Sequence, residues 1–433
     1  MVQFYKAKTA AKKTQPVFDS VVSGMDHKLC GIVHHQQNTF FVERVLPGER
    51  VRIKPLSNHQ GQLIKVLQAG SLRIQPRCEY FQECGGCQSQ ILTSDQQISF
   101  KRTEVQKLIE QLSGYTDLPE PMLITEAAWN YRRCCRLATW YERQQGWLLG
   151  FRMAKSKQLV TVQHCDTLNQ SLSALIAPLQ QLFRQWPRAA GLGHVELIDA
   201  LPKRVVLVRV THPLTTPLIE QLVNFAVSQN ISLVMDDGIN RQWLQGEHCY
   251  YEVDDVSLQF EPGDFIQVNA SLNQQLVALA TDWLDPQPQE RILDLYSGIG
   301  NFTLPLAKRA AHVTAIEGVA SMAVKVQQNA QANGLNNVEA VSGDLNDPAA
   351  LRQHLTQIDK VLLDPARAGA KTALGLVAKA RPKAVVYIAC DPATMARDIA
   401  QLYSAGYQFK RWALIDMFAQ TSHVETAVLF TVA

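Results

Sequence analysis

From about residue 263 to its end, the chain alternates short apolar runs with stretches of helical periodicity. The runs at 292–295, 312–316, 361–363 and 385–388 are mostly aliphatic and have the length of strands buried on both faces. Neighbouring parallel strands need a long crossover, and here each crossover has a helical pattern. That points to a parallel sheet with helices on both faces. The last apolar segments, 411–415 and 426–432, have no helix between them, so they are expected to close the sheet as an antiparallel hairpin. Residues 263–433 therefore read as one doubly wound α/β domain.

A chain of 433 residues exceeds one ordinary core, and two or three domains are expected. Residues 15–70 read as short strands, with β-formers at 38–45, a turn at Pro47-Gly48 and further strands at 50–53 and 62–67. This is the pattern of a small β-barrel, assigned to 1–70, with Arg44, Arg50, Arg52, Lys54 and Lys65 on or beside its strands. Residues 71–262 read as a central α+β domain. It opens on a helix near 94–113, with Ser94 and Gln97 as a capping box, an apolar stripe of Val105, Leu108, Ile109 and Leu112, and Gly114 as its stop. That helix is able to pack on the following domain. Strands at 146–151, 194–198 and 205–210 then mix with helices at 172–183 and 218–227.

Charge is unevenly spread. Up to Arg77 there are 12 Lys and Arg against 4 Asp and Glu, a net of +8, and the remainder holds 30 against 35, a net of −5. A basic module on a mildly acidic body favours a polyanionic partner, because phosphate neutralisation releases counterions. The blander reading is a solvated basic tail. There is no run of about 18 apolar residues, so no membrane span is expected. The start carries Lys6, Lys8, Lys12 and Lys13 with no apolar core behind them, unlike a secretory signal. The cytoplasm and a monomer are the resulting expectations.

The strand at 292–295 runs into Asp294-Leu295-Tyr296-Ser297-Gly298-Ile299-Gly300-Asn301-Phe302. A glycine turn after the first strand of such a sheet lets a ligand approach the backbone. Thr303 stands where a dinucleotide fingerprint has its third glycine, which weighs against NAD or FAD. Glu317 follows the next strand, 19 residues after Gly298, where an acid can accept from ribose hydroxyls. Asp344 and Asp364 end two further strand-like stretches. Singly, each acid is more simply a cap or turn residue. At successive strand ends they outline a nucleoside pocket.

Cys390 follows the strand at 385–388, in Cys390-Asp391-Pro392-Ala393-Thr394, ahead of a helix that Pro392 starts. A thiolate there is stabilised by the helix amino terminus, although a lone cysteine is equally a small buried hydrophobe. Glu425, in Thr421-Ser422-His423-Val424-Glu425, begins the final strand. An acid beside an apolar strand is a candidate general base, with a surface acid as the plain alternative.

Nine cysteines without a secretory context argue against a disulfide framework. Cys78, Cys84 and Cys87, spaced C-x5-C-x2-C around Gly85 and Gly86, point to a metal. A fourth ligand has to come from Cys134, Cys135 or Cys165, and both an iron–sulfur cluster and a zinc site take four thiolates.

Several motifs together resemble the RNA 5-methyluridine methyltransferases over nearly the whole chain. They are Asp264-Phe265-Ile266-Gln267-Val268-Asn269, the glycine turn, Asp364-Pro365-Ala366-Arg367-Ala368-Gly369, and the Cys390 and Glu425 motifs. The barrel, which looks like a TRAM domain of the OB-like kind, and the cysteine cluster favour the branch acting on 23S rRNA. A tRNA substrate is the alternative. The resemblance implies a class I methyltransferase fold using S-adenosylmethionine, with Cys390 as nucleophile and Glu425 as base. It implies that Gln267, Tyr296, Asn301, Glu317, Asp344 and Asp364 line the cofactor pocket beside Gly298. It also selects Cys165 to join Cys78, Cys84 and Cys87 around a [4Fe–4S] cluster of structural role.

Two departures stand out. Family members usually have Ser-Cys-Asn-Pro where this chain has Ala389-Cys390-Asp391-Pro392, and commonly a cysteine at the place of Ser297. Asp391 is expected to raise the pKa of the adjacent thiol. For RNA contact, the tracts Trp129-Asn130-Tyr131-Arg132-Arg133 and Phe151-Arg152 offer stacking planes and guanidinium groups, or else partly buried aromatics with surface arginines. An iron–sulfur redox enzyme and an RNA-binding protein with a decayed enzyme domain are the rival functions.

Overall fold

The computed structural model describes residues 16–432, so Lys6, Lys8, Lys12 and Lys13 lie outside the described residues. Its largest element is an eight-stranded sheet. In spatial order the strands are Val338–Ser342, His312–Glu317, Arg291–Leu295, Lys360–Leu363, Ala384–Ala389, Glu425–Val432, Tyr407–Ile415 and Met122–Ile124. The first five run parallel. Glu425–Val432 is antiparallel to both of its neighbours. The order reverses at Arg291–Leu295, and the crevice beyond the carboxyl ends of its neighbours is where a doubly wound sheet binds ligands.

The strands read as unbroken apolar runs because both faces are covered. Ile292, Val313, Leu362 and Val386 pack with Leu276, Val277, Leu304 and Val326 on one side. Leu293, Val361 and Val385 pack with Ile109, Leu374 and Met395 on the other.

A second, seven-stranded sheet runs from Arg241–Gln245 at one edge through Leu192–Ile198 and Cys134–Glu142 to Leu159–Thr161 at the other. Helices Ile176–Arg184 and Thr216–Gln229 cover it with Leu179, Phe183, Leu222 and Ala226. The amino-terminal strands Phe18–Met25, Gly31–His35, Asn38–Val42, Gln60–Gln68 and Arg50–Pro55 form a closed barrel. Its own core is Phe18, Val22, Val33, Phe40, Val42, Val51 and Ile53.

The structure departs from the sequence expectations in four places. The capping box of helix Ser94–Leu112 is Thr93 with Gln96, one residue earlier than expected. Gln97 is buried instead, its amide bonded to Ser89, Leu92 and Gln420. Met122–Ile124 adds an edge strand to the eight-stranded sheet, pairing with Tyr407–Ile415. The hairpin Cys249–Val253 and Val256–Phe260 buries Tyr251, Leu258 and Phe260 in the core of that sheet. The helix expected at 172–183 is two helices, Gln170–Ser173 and Ile176–Arg184. Among the described residues no helix is long and apolar enough to cross a membrane.

Candidate active site

The carboxyl ends of the parallel strands meet at a cavity of about 490 Å³. Gln267, Tyr296, Gly298, Asn301, Glu317, Asp364, Cys390 and Glu425 all line it. The chain leaves Arg291–Leu295 through a turn in which Tyr296 has φ 65° and Gly298 φ 58°, backbone that favours glycine and strains a tyrosine. Glu317 ties the turn to the next strand: its Oε2 accepts from the Gly298 N–H at 2.9 Å and its Oε1 from the Val319 N–H at 2.9 Å. Each oxygen keeps a lone pair for a further donor.

Two buried polar atoms on this turn, Tyr296 Oη and Ser297 Oγ, have no protein partner, and Asp294 Oδ1 in the strand behind them has none either. Leaving such atoms unpaired costs roughly 1–3 kcal/mol each, so a cluster of them at a cavity marks a place for a polar ligand. Asn301 is differently occupied. Its Oδ1 accepts from Tyr251 Oη at 3.0 Å and Asn273 Nδ2 at 2.9 Å, and its Nδ2 donates to Asn273 Oδ1 at 3.0 Å. Asp344 stands apart from the lining, exposed, accepting from the Asn346 N–H.

Cys390 and Glu425 arrive on adjacent strands. Ala389 pairs with Thr426 as the last rung, so Cys390 follows directly after one strand and Glu425 begins the other at the same end of the ladder. Burial, then the nearby Glu425 and Asp364, push the Cys390 thiol up to about 11, with Arg367 opposing. Burial and then Asp364 hold Glu425 well above the usual carboxylate range. Burial lifts Asp364 to about 7, and lifts Asp294 to about 7 against the Thr303 hydroxyl bond. The expected culprit, Asp391, is turned away: its Oδ1 caps helix Pro392–Asp398 by accepting from the Thr394 N–H at 2.9 Å.

Sequence reasoning gave no role to several residues of the lining. His423 and Arg367 are in contact within the lining, the guanidinium donating to His423 Nε2 at 3.1 Å. Burial and Arg367 bring His423 down to about 4, which keeps its ring neutral. Arg367 was visible in the Asp364-Pro365-Ala366-Arg367 motif and His423 two places before Glu425. Neither had a chemical role that its position alone could assign. Phe265, 67% exposed at the rim, is a third such residue.

Cys78, Cys84, Cys87 and Cys165 line a separate cavity of about 190 Å³, together with Cys135. Cys134 packs against the core of the eight-stranded sheet. Burial raises the Cys78 and Cys84 thiols and takes Cys87 to about 12. Among the described residues, no group of three or more His, Cys, Asp or Glu side chains is arranged to hold a metal ion.

Of the arginines expected at RNA, Arg133 has its guanidinium inside the protein. It is buried, donates through Nε to the Gln267 carbonyl at 2.6 Å and stacks 4.2 Å from the Tyr251 ring. Arg132 and Phe151 line the cysteine cavity, whereas Arg152 is exposed. On the barrel, Arg44 bonds inward to the Gln82 and Cys84 carbonyls.

The sequence profile of the family described as tRNA (Uracil-5-)-methyltransferase matches residues 93–433. A 23S rRNA (uracil(1939)-C(5))-methyltransferase RlmD of Shewanella sediminis is 40% identical, over 99% of this chain and 99% of that protein. The enzyme of the same description from Shewanella sp. strain ANA-3 is also 40% identical, over all of both chains. Among solved structures, Pyrococcus abyssi tRNA (uracil-54, C5)-methyltransferase, in complex with S-adenosyl-L-homocysteine, superposes with a TM-score of 0.76. It covers 95% of this chain and 99% of its own, at 20% identity, and so bears on the fold alone.

Proposed function

The chain belongs to the uracil-5-methyltransferase family, and from that premise we propose that it methylates carbon 5 of a uridine in 23S rRNA, using Cys390 as nucleophile and Glu425 as base. The observation that carries this reading is that Cys390 and Glu425, at the same end of two paired strands, line one cavity and lie close enough for the carboxylate to act on the thiol. The 23S rRNA substrate is the one named for the full-length relatives.

The cavity suits S-adenosylmethionine. Glu317 keeps lone pairs for ribose hydroxyls, the orphaned Tyr296 and Ser297 hydroxyls await polar partners, and the buried acids favour a cation. When bound, that cofactor supplies a methyl group made electrophilic by its sulfonium. Carbon 5 of uracil is too weak a nucleophile to take the methyl unaided, and the base has to leave its stack to reach the cavity. The Cys390 thiolate adds to carbon 6, and the electron pair of the 5,6 double bond makes carbon 5 nucleophilic as an enolate. Carbon 5 then takes the methyl. Glu425, a strong base because of its burial, removes the carbon-5 proton. That electron pair re-forms the 5,6 double bond and expels the Cys390 thiolate. Arg367 is the one cation among the residues lining the cavity, and it favours both the thiolate and the enolate.

The test is a denaturing gel of protein incubated with cofactor and 5-fluorouridine RNA, whose fluorine cannot be removed as a proton. The wild type is expected to stay covalently attached. An adduct formed by Cys390→Ala would overturn the assignment.

We infer further that Cys78, Cys84, Cys87 and Cys165 hold a [4Fe–4S] cluster. The support is the shared apolar cavity and the donor set. In a cluster each thiolate binds a different iron, so the four sulfurs need not close on one ion. Iron and acid-labile sulfide in anaerobically purified protein are expected, and stoichiometric zinc without iron would contradict the cluster.

A further inference from the structure

The segment joining the last two strands, 416–424, stands between the two cavities. Phe418 and His423 line the active-site side, where Glu425 follows, and Thr421 lines the cysteine side. Residues far away in sequence hold it. Lys101 Nζ donates to Asp416 Oδ1 at 2.7 Å with both side chains buried, and Tyr131 Oη donates to the Ala419 carbonyl at 2.9 Å. The Gln88 and Ser89 N–H groups donate to the Gln420 carbonyl at 3.0 and 3.2 Å.

Gln97 is the centre of this arrangement. It is fully buried, at 0% exposure. Its Oε1 accepts from Ser89 Oγ at 2.9 Å and from the Gln420 N–H at 3.2 Å. Its Nε2 donates among Ser89 O, Leu92 O and Gln420 Oε1 at 3.1, 3.0 and 3.0 Å. Gln420 itself has φ 67°, a left-handed backbone that a glutamine holds only when its surroundings impose it. Here its N–H, its carbonyl and its side chain are all gripped by the loop and helix that precede the second sheet.

We infer that Gln97 is a positioning residue for the second half of the reaction: through Gln420 it fixes the segment that brings Glu425 up to Cys390. The inference rests on the reading of Cys390 and Glu425 given above. Cys390 comes from a different strand and is anchored by its own capped helix, and although helix Ser94–Leu112 also packs on that helix, the hydrogen bonds of Gln97 go to Ser89, Leu92 and Gln420, so thiolate addition and methyl transfer depend on Gln97 less directly than Glu425 does. Removal of the carbon-5 proton, with re-formation of the double bond and release of the thiolate, depends on it more directly. Loss of Gln97 therefore slows one half of the cycle selectively, which a general loss of stability does not do.

The experiment uses the full chain, S-adenosylmethionine and an unmodified 23S rRNA transcript, and follows the covalent protein–RNA adduct and its release on denaturing gels. Glu425→Gln is the reference, expected to hold the methylated adduct. Gln97→Leu keeps the volume but deletes the amide. It is expected to form adduct at close to the wild-type rate and release it on the order of tenfold more slowly, since a positioned base contributes about 10²–10⁴-fold and a displaced one keeps only part of that. Gln420→Gly accepts the left-handed backbone while removing the side-chain partner, and is expected to retain adduct in the same sense. Should Gln97→Leu not fold, Gln420→Gly decides. Release at the wild-type rate in either folded variant, or equal slowing of formation and release, overturns the inference while Glu425→Gln still traps adduct. If Glu425→Gln traps none, the reading of Glu425 itself fails and takes this inference with it.

Discussion

Asp364, Glu425 and the Cys390 thiol, buried against one another, make a cavity that is hostile to anions and ready for a cation, and Asp294 lies in the strand behind it. Asp294 and Asp364 are both raised to about 7 by burial, so below that pH they carry protons the unfolded chain would release. The sign follows from proton counting. Between about pH 4, the ordinary carboxylate value, and the raised values, the folded state binds more protons than the unfolded one, so stability falls as pH rises through this window. The unliganded protein is expected to lose urea resistance between pH ~4 and ~7, and Asp294→Asn to flatten that loss. A cationic cofactor favours the ionised acids, so S-adenosylmethionine should bind more tightly toward neutral pH and release protons as it binds. Calorimetry in buffers of different ionisation heat checks this, and uptake of protons would contradict it. At this scale, residue type and position along the strands identified Cys390, Glu425, Glu317 and Asp364 as candidates. Side-chain direction was not legible: Asp391 faces its helix rather than the thiol, Arg133 faces Gln267 rather than solvent, and Asn301 spends its amide on Asn273.

Helix Ser94–Leu112 is the element on which most depends, since it lies under the eight-stranded sheet and also carries Gln97 and Lys101. Its N-cap and its buried lysine should respond very differently. Thr93→Ala removes the cap and is expected to cost about 1 kcal/mol in urea unfolding. Lys101→Met leaves Asp416 buried without its partner and is expected to cost roughly 3–5 kcal/mol. Adding Asp416→Leu should recover much of that loss, because an apolar pair of similar volume often replaces a buried ion pair with little penalty. A single variant no worse than Thr93→Ala would contradict the burial argument. The long parallel strands were legible because unbroken apolar runs have one explanation in such a sheet. Met122–Ile124 was not, because three residues carry no periodicity and their pairing partner is nearly 300 residues away.

The whole molecule has a barrel core separate from the cores of the two sheets, bridged by a small cluster of Met25, Leu29, Leu46, Phe81, Ile91 and Leu92. Phe81 lies between Cys78 and Cys84, so the cysteine loop and the barrel share packing. The basic bias of the amino-terminal region has a structural form. Arg50, Arg52 and Lys54 alternate with buried Val51 and Ile53, which sets the three charges on the outer face of one strand. Arg52 is paired with Asp19, leaving Arg50 and Lys54 as the freer cations. Arg50→Gln with Lys54→Gln is expected to weaken RNA binding and to lower the slope of log affinity against log salt by roughly one unit per charge. An unchanged slope would remove the barrel from the RNA interface. The amino-terminal barrel and the α/β domain were legible from strand spacing and alternation. The limits of the central region were not, because an edge strand and a hairpin from it complete the neighbouring domain.

The central claim is methylation of carbon 5 of uridine in 23S rRNA. Protein purified without air, given labelled S-adenosylmethionine and separate unmodified transcripts of 23S rRNA, 16S rRNA and tRNA, tests it in one step when the digested products are identified as nucleosides. The account predicts label in 5-methyluridine from 23S rRNA and from neither of the others. Label in any other nucleoside would contradict the pairing of Cys390 with Glu425, and 5-methyluridine in tRNA alone would contradict the substrate.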